Sequence, residues 1–371
     1  MKSRDLYRRA GVDIELADRL IARHMGPGIN AGDSSRIQVH PGAETANFGA
    51  LSKETWSSTR RFEDDTSPSH KREEDKERWR FVMTSDGVGS KVLLATDAWH
   101  HRAIAQDCVA MCTNDLRAMG ASPMWFMDYF SSNTLREEVF SEVARGLHDA
   151  TQREGCLLMG GETAEMPGFY AHDQYELVGF AVGKVRSGSE WTGAVRPGDW
   201  VIALASNGLH SNGFSLVRRA IEEGALSLED ELEDGQLVRD HVMRPTTLYG
   251  AMVERLLREG GERMIRRGAH VTGGGLVRAR QRLCGEANLG VDVLDRGEEP
   301  LIVSHVREVM GMSREEAEGV WNAGVGFLMA VDRDAVPERA QLEEILKRSA
   351  LPCWLYGEVS SQAACMSEET R

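Results

Sequence analysis

A chain of 371 residues is long enough for two domains with real cores, and with 41% hydrophobic and 27% charged residues it is neither disordered throughout nor collagen-like. Its 44 basic against 58 acidic side chains give a net charge of -14, so its average field repels nucleic acid and anionic membranes, and a phosphate ligand must be held locally. Six cysteines without a CxxC pair, no apolar segment long enough for a signal or a membrane span, and 38 glycines together predict a reduced, cytoplasmic protein with loops that let backbone approach a ligand.

In chain order, Ile14, Leu16, Ala17, Leu20 and Ile21 recur at helical spacing and predict a first helix, followed by a Gly/Pro-rich loop over residues 25–52. Residues 53–80 mix both charges with almost no apolar side chains and read as a solvated, passive insertion. Alternating units follow: strands around residues 79–84, 123–131 and 155–159, and helices around 101–119 and 134–154. In the second of these helices Leu135, Val139, Val143 and Leu147 form an i, i+4 stripe that needs covering. Two apolar runs, 175–185 and 199–205, flank a polar link at 187–198, which is taken as the boundary between domains 1–190 and 191–371. Sheet and helix patterns alternate again to residue 359, so both halves are α/β layers with mixed sheets.

Candidate chemistry lies in the loops. In TSDGVGSK (84–91), Asp86 ends a strand and can hold Mg²⁺, Gly87 and Gly89 let amides approach phosphate, and Lys91 supplies charge; an ordinary turn is the alternative. Asp107 and Asn114 are seven apart on one helix face, as hard ligands that Mg²⁺ and a nucleotide would satisfy; the alternative is that Asn114 and Asp115 merely cap or leave the helix near its end. Cys108 and Cys112, at i, i+4, read as two small buried side chains. MGGETAEMPGFY (159–170) sets Gly160, Gly161, Glu162 and Glu165 at a strand end, where two carboxylates suit metal or ligand binding. Two glycine loops, 206–213 and 270–275, open helices whose free amides receive anions, and His210 and His270 stand there to donate to phosphate or move a proton.

TSDGVGSK, DCVAMCTNDLRAMGASPMWFMDYF, GGETAEMPGFY, YELVGFAVGKV, GLHSNGFSLVRR, RPTTLY, HVTGGG and WNAGVGF stand in this order over residues 84–327. Together they resemble phosphoribosylformylglycinamidine cyclo-ligase, the AIR synthetase of purine biosynthesis. The resemblance implies two α/β domains, the first of them ATP-binding and pairing with its twin into a homodimer around a β-barrel. It implies ATP and Mg²⁺ as cofactors and a phosphoribosyl substrate, formylglycinamidine ribonucleotide, cyclised to aminoimidazole ribonucleotide through a phosphorylated amide. By the same resemblance Asp86, Asp107 and Glu162 hold Mg²⁺. ATP is met by Asp86, Gly87, Gly89, Lys91, Asp107, Asn114, Gly160, Gly161 and Glu162. His210, Ser211, Asn212, Gly273, Gly274 and Gly275 face substrate, and His210, His270 and Lys91 are the catalytic candidates. The chain departs from the family's glycine-rich N-terminal segment, with Asn47 and Ala50 beside Phe48 and Gly49, and has Ala323 where a cysteine is common. Alternatives within the same ATP-using superfamily are a selenophosphate synthetase-like or thiamine phosphate kinase-like enzyme, or an inactive nucleotide-binding paralogue.

Overall fold

The computed structural model describes residues 37–38, 50–52, 56–57, 78–285 and 288–361. The expected first helix, and nearly all of the loop and charged insertion that follow it, lie outside these residues. The last three residues of the charged stretch, 78–80, are not insertion but the start of a strand.

Strands β1 (Ile37–Gln38), β2 (Ala50–Ser52), β3 (Trp56–Ser57), β4 (Arg78–Gly87), β5 (Ser122–Ser132), β6 (Leu157–Glu165) and β7 (Tyr175–Arg186) form one sheet in the order β1-β2-β4-β7-β5-β6, with β3 also on β4. Only β5 and β6 run parallel among these pairs, because the chain between them crosses over through helix α2 (Glu137–Arg153). Val139, Val143 and Leu147 are buried beneath α2 as the stripe predicts. Leu135 is not part of it: the helix starts later, and Leu135 stays exposed with its amide held by Glu165 Oε1 at 2.7 Å.

Alternation in β4, β5 and β7 turns Val82, Phe126, Phe130, Leu177 and Ala181 toward the helices, where they pack on Ile104, Cys108, Cys112 and Leu116 of α1 (Ala98–Ala118). Cys108 and Cys112 are thus core residues, and burial pushes both thiols up. Helix α1 is capped by Asp97, whose carboxylate accepts the His100 amide at 2.9 Å. It carries no clean apolar stripe because it is buried nearly all round, from Ala103 to Ala118.

The second sheet, β10 (Leu289–Val293), β12 (Cys353–Ser361), β8 (Trp200–Ala205), β11 (Val325–Val331) and β9 (Ile265–His270) in that order, is antiparallel throughout. Every residue of β11 is buried, since both faces are covered. Helices α5 (Gly250–Gly260) and α9 (Arg339–Ser349) pack over Trp200, Ile202, Leu204 and Met329; α6 (Gly275–Cys284) packs over Val201, Ala203, Leu328 and Ala330. A further cluster gathers α3 (Phe214–Glu222), α4 (Val238–Val242), α7 (Leu301–Val309) and α8 (Arg314–Glu318) around Trp321. The link between the sheets is not loose. Trp191 is buried, its amide reaches Met119 O at 3.1 Å, and its indole fills the space a Cβ would need at Gly120 and Gly268.

Candidate functional site

Helix α1 lies against the end of β4, the loop 206–213, the segment 244–250 and the end of β9, so the seam between the two sheets gathers most of the sequence motifs. Its polar residues point across this seam. Asp107 accepts from the Thr246 amide at 2.7 Å and the Thr246 hydroxyl at 2.6 Å, while Gln106 Nε2 donates to Thr246 O at 2.8 Å. Asn114 Nδ2 donates to Thr247 O at 2.9 Å and its Oδ1 accepts the Tyr249 amide at 3.0 Å. Arg117 reaches Glu254 at 2.9 Å, and Glu154, after α2, accepts the Gly250 amide at 3.2 Å.

Lys91 sits in a 3-10 turn (Gly89–Leu94) after β4 and is fully buried. Its Nζ donates to His210 O and Arg244 O, both at 2.8 Å, and pairs with Asp107 at 2.8 Å. Burial pulls the ammonium down and pushes the Asp107 carboxyl up, each opposed by the other's charge. The polar atoms of Lys91, Asp107 and Asn114 that the sequence turns toward ATP and metal are here paired with one another and, across the seam, with His210, Arg244, Thr246, Thr247 and Tyr249. The helix face that Asp107 and Asn114 share is turned to residues 244–249.

Asp86 is different. Its carboxylate accepts the amide of its own neighbour Gly87 at 2.8 Å, and burial, aided by Asp115, raises its pKa to about 7. Asp115 Oδ1 meets His270 Nδ1 at 3.1 Å, while Asp115 Oδ2 is buried without a partner. Two carboxylates that repel each other, one with an orphaned oxygen, form a donor set that suits a hard cation completed by phosphate oxygens and water. Asp115 is the carboxylate whose charge acts on Asp86, while Asp107 is paired with Lys91. Among the described residues no three His, Cys, Asp or Glu groups gather in a metal cluster. Glu162 is exposed on β6, opposite Tyr129 in register, and does not join Asp86 and Asp107 in such a group.

Gly160 and Gly161 also lie on β6. A Cβ at Gly161 would come within 2.3 Å of Asp128 O, so this glycine is fixed by the close approach of β5. Asp128 itself carried no signal in the sequence. It is half-buried, and desolvation raises its pKa to about 6.

The two histidines divide sharply. The Tyr249 amide fixes the Asn114 side chain so that its Nδ2 faces His270 Nε2 at 3.3 Å, and Nε2 must accept. The Nδ1 proton is then donated to Asp115, and the ring is held as the neutral Nδ1–H tautomer with both nitrogens used. With both nitrogens engaged by Asn114 and Asp115, the His270 ring braces the seam as a strut. His210 is 1% exposed, in the left-handed region at φ 59°, and neither ring nitrogen has a partner. Burial, with help from the Lys91 charge, pulls its pKa well below the usual histidine value, so the ring is a neutral base. Its ring lies where a side chain at position 326 would stand: a Cβ on Gly326 would be 2.7 Å from His210 Cε1. Beside it, Ser211 Oγ donates to Val88 O at 2.9 Å, and Asn212 has only the sulfur of Met111 at 3.9 Å.

At the glycine loop 273–275, the Gly275 amide and that of Leu276 just after it are taken by carbonyls of the chain. Thr272 O takes the Gly275 amide at 2.9 Å and Trp321 O takes the Leu276 amide at 3.0 Å. Gly275 is needed for that closure, since a Cβ would stand 2.7 Å from Trp321 O.

Residues 73–185 match the N-terminal domain of AIR synthase related proteins and residues 196–365 match the C-terminal domain. Between them they cover most of the chain, which belongs to this family. Among solved structures, the fold is similar to thiamine-monophosphate kinase from Stenotrophomonas maltophilia, at 21% identity over 76% of this chain and 83% of that one, with a TM-score of 0.55. It is also similar to the hydrogenase maturation protein HypE in complex with ATP, at 19% identity over 77% and 78%, TM-score 0.55. A third is AaThiL complexed with AMPPCP and TMP, at 15% identity over 76% and 82%, TM-score 0.53. At these identities the likeness is one of fold.

Proposed function

We propose that this member of the AIR synthase-related family is an ATP-dependent cyclo-ligase that closes formylglycinamidine ribonucleotide to aminoimidazole ribonucleotide. The observation that carries the reading is the convergence of TSDGVGSK, DCVAMCTNDLRAMG, GLHSNGFSLVRR, RPTTLY, HVTGGG and WNAGVGF on one seam, with the unpartnered His210 among them. Structures of this fold hold ATP or an ATP analogue, which supports ATP as the phosphoryl donor.

The γ-phosphoryl group passes to the formamide oxygen and ADP leaves. The amidine nitrogen then attacks the former carbonyl carbon, the C–O bond breaks and inorganic phosphate departs with its electron pair. The nitrogen's proton needs an acceptor, and His210, neutral and buried, supplies one. Ring closure is intramolecular, so positioning contributes much of the rate. Asp86 and Asp115 would hold Mg²⁺, which supplies charge neutralisation at the phosphates when bound.

A homodimer belongs to the same reading. Met83, Trp125, Met127, Leu157, Met159 and Phe180 are exposed on the face of the first sheet opposite α1 and α2, an apolar surface suited to a second copy closing a barrel. No helix among the described residues is long and apolar enough to cross a membrane.

The test is to incubate purified protein with formylglycinamidine ribonucleotide, ATP and Mg²⁺, following ADP and the aminoimidazole together. Equimolar appearance of both is expected. ADP formed with thiamine monophosphate but not with the ribonucleotide would replace this reading by a kinase.

A further inference from the structure

The motif WNAGVGF (321–327) runs into β11, and its second glycine sits at an irregularity of the sheet. Against β8 the register shifts between Val325, which faces Ala205, and Phe327, which faces Leu204, so Gly326 is the extra residue of a β-bulge. Its carbonyl accepts the Val271 amide at 3.0 Å. Its φ lies outside the left-handed region, so crowding rather than torsion calls for glycine there. A Cβ at 326 would stand 2.7 Å from His210 Cε1 and would overlap Tyr249 Oη.

Those two side chains stand against each other, with ring centres 6.1 Å apart and planes tilted by 58°. Tyr249 is pinned at both ends. Its amide is accepted by Asn114 Oδ1 at 3.0 Å, and its phenol donates to Ala205 O, at the bulge, at 2.8 Å. Burial pushes the phenol's pKa up, so it stays a neutral donor. His210 is held by its main chain, where Lys91 donates to its carbonyl at 2.8 Å, while neither ring nitrogen is engaged. The His210 imidazole is therefore placed by packing alone, whereas that of His270 is placed by hydrogen bonds. Packing leaves both nitrogens of His210 free to take or give a proton, and it makes the direction of the ring depend on the groups that line it.

We infer that Gly326 and Tyr249 are positioning residues for His210: the bulge opens the space in which the imidazole stands, and the phenol is the fixed wall that sets its direction. This deepens the proposed function, on which it rests only for the proton that His210 takes. Where the ring stands does not depend on the substrate.

The test uses the full chain with ¹³Cε1-labelled histidine, as wild type, Gly326→Ala, Tyr249→Phe and the double variant. The His210 signal is identified by its loss in His210→Asn, and in wild type it should show an Overhauser contact between Hε1 and the Gly326 α protons. Gly326→Ala should shift that signal and lower kcat about 10²-fold with KM within about twofold, the loss expected of a misplaced proton acceptor. Tyr249→Phe alone should shift the signal and lower kcat about tenfold. In the double variant the overlap with Oη is relieved but the contact with His210 Cε1 remains. It should therefore regain melting temperature that Gly326→Ala loses and still stay about 10²-fold down in kcat. Where Gly326→Ala does not fold, Tyr249→Phe and the double variant carry the same measurement. A His210 signal that moves in no variant, or a kcat that recovers in the double variant in step with its melting temperature, overturns the positioning role. A wild type that forms no aminoimidazole while the His210 signal moves in the variants loses only the reaction. One that cyclises with the signal unmoved in every variant loses only the positioning.

Discussion

Replacing Asp107 by Asn separates a strut from a metal ligand. Asp107 and Lys91 are both fully buried and 2.8 Å apart, and Thr246 gives Asp107 two further donors. In Asp107→Asn the amide oxygen can keep Thr246, but the amide nitrogen then faces the Lys91 ammonium, donor against donor. Breaking one side of a buried ion pair costs about 3–5 kcal/mol. At about 2–4 °C per kcal/mol, the melting temperature should fall by roughly 6–20 °C. Adding Lys91→Met removes the stranded charge, so the double variant should recover part of the loss, with a coupling of about 2 kcal/mol in a double-mutant cycle. Thermal unfolding and Mg-ATP affinity are measured on all four proteins at matched concentration. If Asp107→Asn melts within about 2 °C of wild type while Mg-ATP binding collapses, the strut argument is wrong and Asp107 is a ligand after all.

The remaining expectations are narrower. His210→Asn should lower kcat about 10²–10⁴-fold with little change in melting, whereas His270→Asn should cost about 1–3 kcal/mol of stability and leave kcat of the folded protein within a few-fold; the reverse pattern would undo the assignment of base and strut. Asp128, raised to about 6 in the native state against about 3.9 unfolded, keeps its proton longer when folded, so its contribution becomes unfavourable as pH rises through that window. Asp128→Asn should accordingly stabilise by about 1 kcal/mol at pH 7.5, after discounting for partial exposure, and give no gain near pH 3.5; equal stabilisation at both would discredit the shift. Met127→Glu on the exposed face of β5 should convert a sedimenting dimer into monomer at micromolar concentration, and a wild type that sediments as monomer would remove the need for that face to be covered.

Strand periodicity and turn chemistry were legible because they are local. The runs 79–84, 123–131 and 175–185 fell within β4, β5 and β7, and Val139, Val143 and Leu147 identified the covered side of α2. Leu135 fitted the same spacing yet lies outside the helix, since i, i+4 arithmetic cannot see where Glu165 captures the backbone. The site was less legible for a reason of distance. Asp107 and Asn114 sit on a helix otherwise poor in charge, and a polar group that must be satisfied gives the same sequence signal whether Mg²⁺ or Thr246 satisfies it. The partner is more than a hundred residues away, and no spacing rule connects the two. Asp115, one position beyond Asn114, reads in the sequence only as a residue near the helix end, for the same reason.

Because the struts of α1 end on backbone groups of the loops that carry the chemistry, stability and activity are not independent here. Lys91 holds His210 and Arg244 by their carbonyls, so this cation fixes where the His210 ring can stand. Asn114 sets the tautomer of His270 and, through Tyr249, positions the start of α5, whose Gly250 amide is in turn held by Glu154. Each of these contacts spans the two sheets. A residue on α1 can therefore be indispensable to turnover without touching ATP or substrate, and only measurements that separate unfolding from catalysis distinguish it from a ligand.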